Sequence, residues 1–395
     1  MKKTILLILS VIIWGNIFAQ IDPLNSPYSQ NGTYSVVMDS VMNSQPTDML
    51  IFRPSSNVDG PFPTLLFQPG ANGTGTSYIN KHSYDLYWSH LASYGYVIFI
   101  INNTSGGPNG TLFTTAHDWI KTNTNNTSSW MHSYVDLGRF IVAGHSNGGM
   151  NATDIIINRP SEIKGIIYMA SYPNPGMLGF GAQNVSTYNG KVLILNGDED
   201  DTSAPLVGTT NAVALTAYQT RFSAVSCKSR VLFTGIGHGG FGDYNNPSQP
   251  VGTIGRNKAT ASIRHYIVSF LNSQFKYNQS SFNNFNSLVL RPTSVSEFEN
   301  TCSTVTSEDV IELNNSNELT VFPVPAKNNI NVNLNNVQTG RILIYNSIGI
   351  AMFKGNINNN SKVNINTESF PSGIYIICFE GEDGSKLIQK FILEN

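Results

Sequence analysis

The stretch that decides the fold runs from Arg139 to Asn158, RFIVAGHSNGGMNATDIIIN. An apolar run ends at Ala143, Gly144-His145-Ser146-Asn147-Gly148 follows, and a segment with helical spacing comes next. A strand that turns directly into a helix forces the central residue into a strained backbone conformation. Glycines are needed around it because a Cβ there meets the neighbouring strand or helix. The pattern predicts that the Ser146 oxygen projects from the rim of a sheet, with the next amide and a helix N-terminus behind it. A serine hydroxyl is a poor nucleophile by itself, so such a turn carries chemistry only if the chain also supplies a base and an anion-stabilising pocket. The bland alternative is a glycine-rich N-cap, and the strand before and helix after favour the nucleophile.

Outward from this turn, strand-like and helical runs alternate between Tyr34 and about Phe275. TLLFQ, YVIFII, RFIVAG, GIIYMA, KVLILNG and RVLFTG are continuous Val/Ile/Leu runs, as expected of parallel strands covered on both faces. DLYWSHLASY, LFTTAHDWIKTN, NAVALTAYQTRFSA and ATASIRHYIVSFLNS read as the intervening helices. The fold class is therefore α/β, with a mostly parallel central sheet and helices on both sides. Ligands in such sheets bind at the carboxyl ends of the strands, where Ser146 falls. From about Asn278 the sequence turns polar and reads as a trailing loop and linker, and from Leu319 short alternating strands describe a small all-β module.

Histidine is the usual general base. Of the seven histidines, His82, His90, His117, His132 and His265 lie in or beside helices, and His145 belongs to the turn itself. His238 stands in VLFTGIGHGGFGD, a glycine-flanked loop after a late strand, and such a loop can carry an imidazole over Ser146. The base needs a carboxylate to fix its tautomer. After KVLILNG come Asp198, Glu199, Asp200 and Asp201, among which the residues alone do not choose. The developing oxyanion needs two amides: that of Asn147, at the start of the elbow helix, and that of Ala71, after the sharp Pro69-Gly70 turn. The glycine-rich GANGTG lacks the lysine and spacing of a phosphate loop, and no metal-ligand spacing is found, so neither cofactor nor metal is expected.

Composition bounds the partners. The chain has 395 residues and a net charge of −2, too small to point to nucleic acid or an anionic membrane. Charged residues make up 12%, against about a quarter in ordinary soluble proteins. A surface so weakly charged does not repel an uncharged, insoluble substrate. MKKTILLILSVIIWGNIFAQ has a basic start, a short apolar core and Ala19 as a small residue, and reads as a secretory signal peptide over residues 1–19 rather than a spanning helix. Of the three cysteines, Cys227 and Cys302 fall in the larger domain and are paired on that ground, while Cys378 lies in a strand of the tail.

QPGANGTGTSYINK, YWSHLASYGYVIFIINN, GHSNGGM, GDEDDTSAP and GHGGF together resemble the polyester hydrolase and cutinase-like group of α/β-hydrolases, including bacterial poly(ethylene terephthalate) hydrolases. The resemblance covers roughly residues 30 to 275. It implies the α/β-hydrolase fold, a serine carboxylesterase acting through an acyl-enzyme, and a triad of Ser146, Asp201 and His238. Asp201 follows from the acid's place four residues after Gly197 and just before Thr202-Ser203-Ala204-Pro205. It also implies Ala71 and Asn147 as the oxyanion hole and Tyr172, in MASYP, as a ring that clamps the acyl group; its flat face suits an aromatic ester. Asn147 stands where the group has methionine, and Ala71 where an aromatic residue is common.

The tail resembles the C-terminal sorting domain of the type IX secretion system, through LTVFPVPAKNNINVNL, ILIYNSIGI, FPSGIYIICF and KLIQKFILEN. The expected organisation is a signal peptide at 1–19, a catalytic domain at 20–303, a linker at 304–318 and a β-sandwich sorting domain at 319–395. The expected protein is a secreted or cell-surface monomer that hydrolyses bulky or polymeric esters and meets the secretion machinery through its tail. A lipase, feruloyl or acetyl-carbohydrate esterase uses the same machinery, and a non-catalytic surface adhesin on the same fold is the alternative from another class.

Overall fold

In the computed structural model the structure describes residues 20–41, 48–73, 75–176, 181–200, 210–303, 319–346, 351–382 and 386–394. The expected signal peptide and linker lie outside the described residues. The chain divides into two compact units, Met1–Val305 and Thr306–Asn395.

The first unit is built on a nine-stranded sheet in the order β1-β2-β4-β3-β5-β6-β7-β8-β9. The strands are β1 Val36–Val41, β2 Met49–Pro54, β3 Phe62–Gln68, β4 Val97–Ile101, β5 Val135–His145, β6 Gly165–Met169, β7 Lys191–Gly197, β8 Lys228–Phe233 and β9 Val295–Asn300. β4, β3, β5, β6, β7 and β8 run parallel to their neighbours in that series. β1, β2 and β9 attach antiparallel at the two edges. The helices that connect the first strands are α1 Asp85–Ser93, α2 Thr111–Asn125, α3 Met131–Tyr134 and α4 Asn147–Asn158. The 20-residue helix Arg256–Phe275 follows β8.

The continuous apolar runs have the cause read from the sequence. Every residue of β3, β4 and β6 is buried. Alternate side chains feed two separate cores: Leu65, Phe67, Ile141 and Ala143 pack into one, and Leu66, Phe140 and Val142 into the other. The parallel register sets the strand ends level, with Gln68 beside Gly144, His145 beside Met169, and Gly197 beside Phe233. The segments that leave β3, β5, β6, β7 and β8 therefore start from a common rim.

One expectation is corrected here. The polar stretch after Asn278 is not merely a trailing loop, because it forms helix Gln279–Asn286 and edge strand β9. Phe298 packs against the core while Ser296 and Glu297 face outward, so the strand carries only a weak apolar signal. The buried Arg230 of β8 reaches Glu297 on β9 at 2.7 Å. Cys227, just before β8, is disulfide-bonded to Cys302, just after β9, across a sequence separation of 75.

The second unit has its own core, centred on Ile330, Ile344, Ile377 and Phe379. Its strands β10 Leu319–Phe322, β11 Asn329–Asn346, β12 Ala351–Asn366, β13 Gly373–Gly381 and β14 Lys386–Leu393 form one five-stranded sheet. The expected sandwich of two separate sheets is replaced because β11 is long and shared. Its first part pairs with β10, its last part with β13, and β12 runs along it through several register shifts. Cys378, in β13, is only partly covered.

Replacing Cys227 and Cys302 together by serine is expected to lower stability by about 2–5 kcal/mol, because the bridge closes a long loop and ties the edge strand to the sheet. Chemical denaturation of the variant against the oxidised protein reads this, and reduction of the wild type should reproduce the shift.

Candidate active site

Ser146 is the single residue between β5 and α4, and its backbone sits at φ 52°, ψ −122°. A non-glycine residue in that region is strained and persists only where its surroundings hold it. Here three backbones meet without side chains between them. A Cβ on Gly144 would come within 2.2 Å of the Gly148 carbonyl carbon, and one on Gly148 within 2.2 Å of the Gln68 carbonyl oxygen on β3. The elbow is then pinned by hydrogen bonds. Ser146 N–H donates to the Met169 carbonyl at 3.0 Å, and the Ser146 carbonyl accepts the Ser171 hydroxyl at 2.6 Å and the Gly149 amide at 3.0 Å.

The loop after β8 holds His238 at the start of a short 3-10 turn, His238–Phe241. Its imidazole is 2% exposed, and Nδ1 lies 2.7 Å from Oδ1 of Asp200, which is wholly buried. The rings of His238 and His145 stand 4.6 Å apart, centroid to centroid, so the candidate base lies beside the elbow. The structure separates the acids that the sequence left together. Asp198 accepts the Gly235 amide at 2.7 Å, Glu199 accepts the Thr253 amide at 2.9 Å, and Asp200 meets the histidine. Asp201, the acid implied by the resemblance, lies outside the described residues. Among the described residues the carboxylate that meets His238 is that of Asp200, while the two acids before it are committed to the segments at 235 and 253.

Gly70 donates its amide to the Tyr84 hydroxyl at 3.0 Å. Among the described residues neither the Ala71 nor the Asn147 amide is committed to a protein acceptor, as an oxyanion pocket requires. The Asn147 side chain has a further task. Its Oδ1 accepts the Gly107 amide at 3.2 Å, and Asn151, one turn on, accepts the Asn109 amide at 2.8 Å. The loop after β4 is thereby tied to the elbow helix. Tyr172 departs from expectation. It is fully buried in the core cluster with Met150, Tyr168 and Phe222 and offers no open ring face. The chain leaves β6 through Ala170, at φ 46°, and this turn carries Ser171 to the elbow and Tyr172 into the core.

The comparisons with known proteins bear on this arrangement. Residues 64–250 match the model of the alpha/beta hydrolase family, and residues 320–394 that of the secretion system C-terminal sorting domain. Residues 64–250 form an α/β-hydrolase domain. No curated protein matches the chain. The sorting domain makes this a secreted or cell-surface protein, one that meets the type IX secretion machinery. Among the described residues no helix is long and apolar enough to cross a membrane, and no group of three His, Cys, Asp or Glu is placed to share a metal ion.

Within the hydrolase domain, three residues with no role in the sequence reading support the elbow and the base loop: Ser171, Tyr84 and Asp243. A lone serine, tyrosine or aspartate has no motif around it, and only proximity in the fold reveals it. Asp243 lies five residues after His238 and accepts the Leu86 amide at 2.8 Å, in the first turn of α1, while its own amide donates to the Ser83 carbonyl at 2.7 Å. The base loop is thus fastened to the N-terminus of α1. Burial raises the Asp243 carboxyl to about 6, with the Leu86 amide and then Arg256 and Arg264 opposing the rise.

A group whose folded pKa lies above its unfolded value supports the fold at low pH and loses that support as pH rises through the folded value. Asp243→Asn keeps the acceptor for Leu86 and carries no charge. The variant should melt close to the wild type at or below pH 4 and above it at pH 7 to 8, the gap opening between about pH 4, the unfolded aspartate range, and about pH 6, the folded value. Thermal melts across that range check the sign.

Proposed function

We propose that the protein is a secreted serine carboxylic-ester hydrolase in which Ser146 is the nucleophile, His238 the general base and Asp200 the acid that orients it. The observation that carries this reading is the buried His238–Asp200 contact at 2.7 Å, beside a strained elbow serine. Asp200 holds the proton on Nδ1 and leaves Nε2 to accept. The Ser146 oxygen attacks the ester carbonyl, its proton passes to His238 Nε2, and the carbonyl electron pair moves onto oxygen. The amides of Ala71 and Asn147 receive that oxyanion. Collapse expels the alcohol, which takes the proton from His238, and leaves an acyl-enzyme. Water, deprotonated by His238, repeats the sequence and releases the acid and free Ser146.

Bulky or polymeric esters, of the cutin or poly(ethylene terephthalate) kind, are the substrate class that the resemblance and the weakly charged surface support. The buried Tyr172 and the small Ala71 favour a second reading, esters with a short acyl group such as acetylated carbohydrate, because no aromatic clamp then grips a ring. A panel of polyester film, triacylglycerol, acetylated xylan and chromogenic acetate separates the two.

Ser146→Ala should lose at least about 10,000-fold in kcat on a chromogenic ester, and Asp200→Asn about 1,000- to 10,000-fold. Asp201→Asn should stay within about tenfold of wild type. Full activity in Ser146→Ala defeats the proposal, and a damaging Asp201→Asn beside a harmless Asp200→Asn would move the acid to Asp201.

A further inference from the structure

The oxyanion loop contains a weakness that the chain has to remedy. Ala71 follows Gly70, and glycine, lacking a Cβ, leaves the direction of the next amide poorly fixed. Glycine is nonetheless required at position 70, because a Cβ there would come within 2.7 Å of His145 Nδ1. Something else must hold the turn.

The candidate is Tyr84, wholly buried at the residue that precedes α1. Its oxygen accepts the Gly70 amide at 3.0 Å and stands 2.7 Å from His145 Nδ1. A phenol has one proton. With the Gly70 N–H already directed at its oxygen, that proton points to the imidazole, so Nδ1 of His145 accepts and Nε2 carries the hydrogen. His145 is fully buried and in turn lies against His238, with rings 4.6 Å apart, and stacks near-parallel on Phe241 at 6.2 Å. Burial holds the His145 imidazole well below its ordinary value, with the nearby His238 pushing it the same way, and raises the Tyr84 phenol well above its own. Both groups therefore stay neutral across the pH range in which an esterase works.

We propose that Tyr84 is the positioning residue of this site: its hydroxyl bridges Gly70 to His145, aims the Ala71 amide at the oxyanion and fixes His145 as the surface on which His238 rests. The proposal builds on the ester-hydrolase reading above. Tyr84 touches no substrate atom. It acts through one amide of the oxyanion loop and one ring beside the base. The same helix receives Asp243 from the base loop, so the start of α1 anchors both.

Tyr84→Phe removes one oxygen atom and tests this in the full chain, with Ser146→Ala as the reference. On a chromogenic acetate, kcat should fall about 10- to 100-fold while KM stays within about threefold, because an oxyanion donor acts in the transition state. A trifluoromethyl ketone, whose hemiketal with Ser146 carries an oxyanion, should lose affinity by a similar factor. Acetate, a product lacking that oxyanion, should inhibit as before. Wild-type kcat and unchanged ketone affinity would overturn the proposal, and so would equal losses for ketone and acetate, which mark a general distortion. If Tyr84→Phe does not fold, His145→Phe keeps a ring but deprives the phenol of its acceptor. The same selective loss of ketone affinity is then expected, and its absence is a refutation. An active Ser146→Ala removes the hydrolase reading and this role with it, whereas an inactive Ser146→Ala beside an unaffected Tyr84→Phe removes this role alone.

Discussion

The hydrolase domain depends on one close approach, in which the backbone of α4 sits directly on the backbones of β3 and β5. Gly144 and Gly148 permit it, since a Cβ on either would penetrate main-chain atoms that no rotamer change can move. A strained residue costs on the order of 1–3 kcal/mol, and Ser146 is held in place by the Met169 carbonyl, the Ser171 hydroxyl and the first turn of α4. The same contact sets the chemistry. It brings the carboxyl end of β3, and hence Gly70 and Ala71, against the start of α4, so the two proposed oxyanion amides come from two elements that cannot separate without undoing the elbow.

Much of this was legible in the sequence because it is local. The glycine pattern around Ser146 states a backbone requirement, and the continuous apolar runs of β3, β4 and β6 state burial on both faces. The late glycine loop likewise placed His238 after β8, where the structure has it. What escaped is set by distance in space. Among four acids in a row, only contacts in the fold show that Asp198 meets the Gly235 amide, Glu199 the Thr253 amide and Asp200 the His238 ring. Tyr172 and Ser171 are likewise adjacent at a strand end, and the positive φ at Ala170 places the serine on the elbow and the tyrosine in the core. Strand β9 was hidden by its composition, since an edge strand with one wet face needs few apolar residues.

The two units are also separate in their interiors. Among the described residues the cores of the first unit draw on residues up to Cys302 and the core of the second on residues from Leu319. Every residue assigned to the proposed chemistry falls between Gly70 and Asp243. A sorting domain is an address, so an independent core is what lets it be read without disturbing a site built elsewhere. The bond between Cys227 and Cys302 suits the same destination, since such bridges persist in oxidising surroundings outside the cell.

Two imidazoles 4.6 Å apart raise a final electrostatic question. A charge on one would oppose a charge on the other, and the proposed base would work against its neighbour. Burial settles it by keeping His145 neutral, with Tyr84 supplying a hydrogen-bond donor to Nδ1 that a protonated ring could not accept. Asp200 meets the His238 ring at 2.7 Å. Two chemically identical rings are thereby given different partners, a phenol at His145 and a carboxylate at His238.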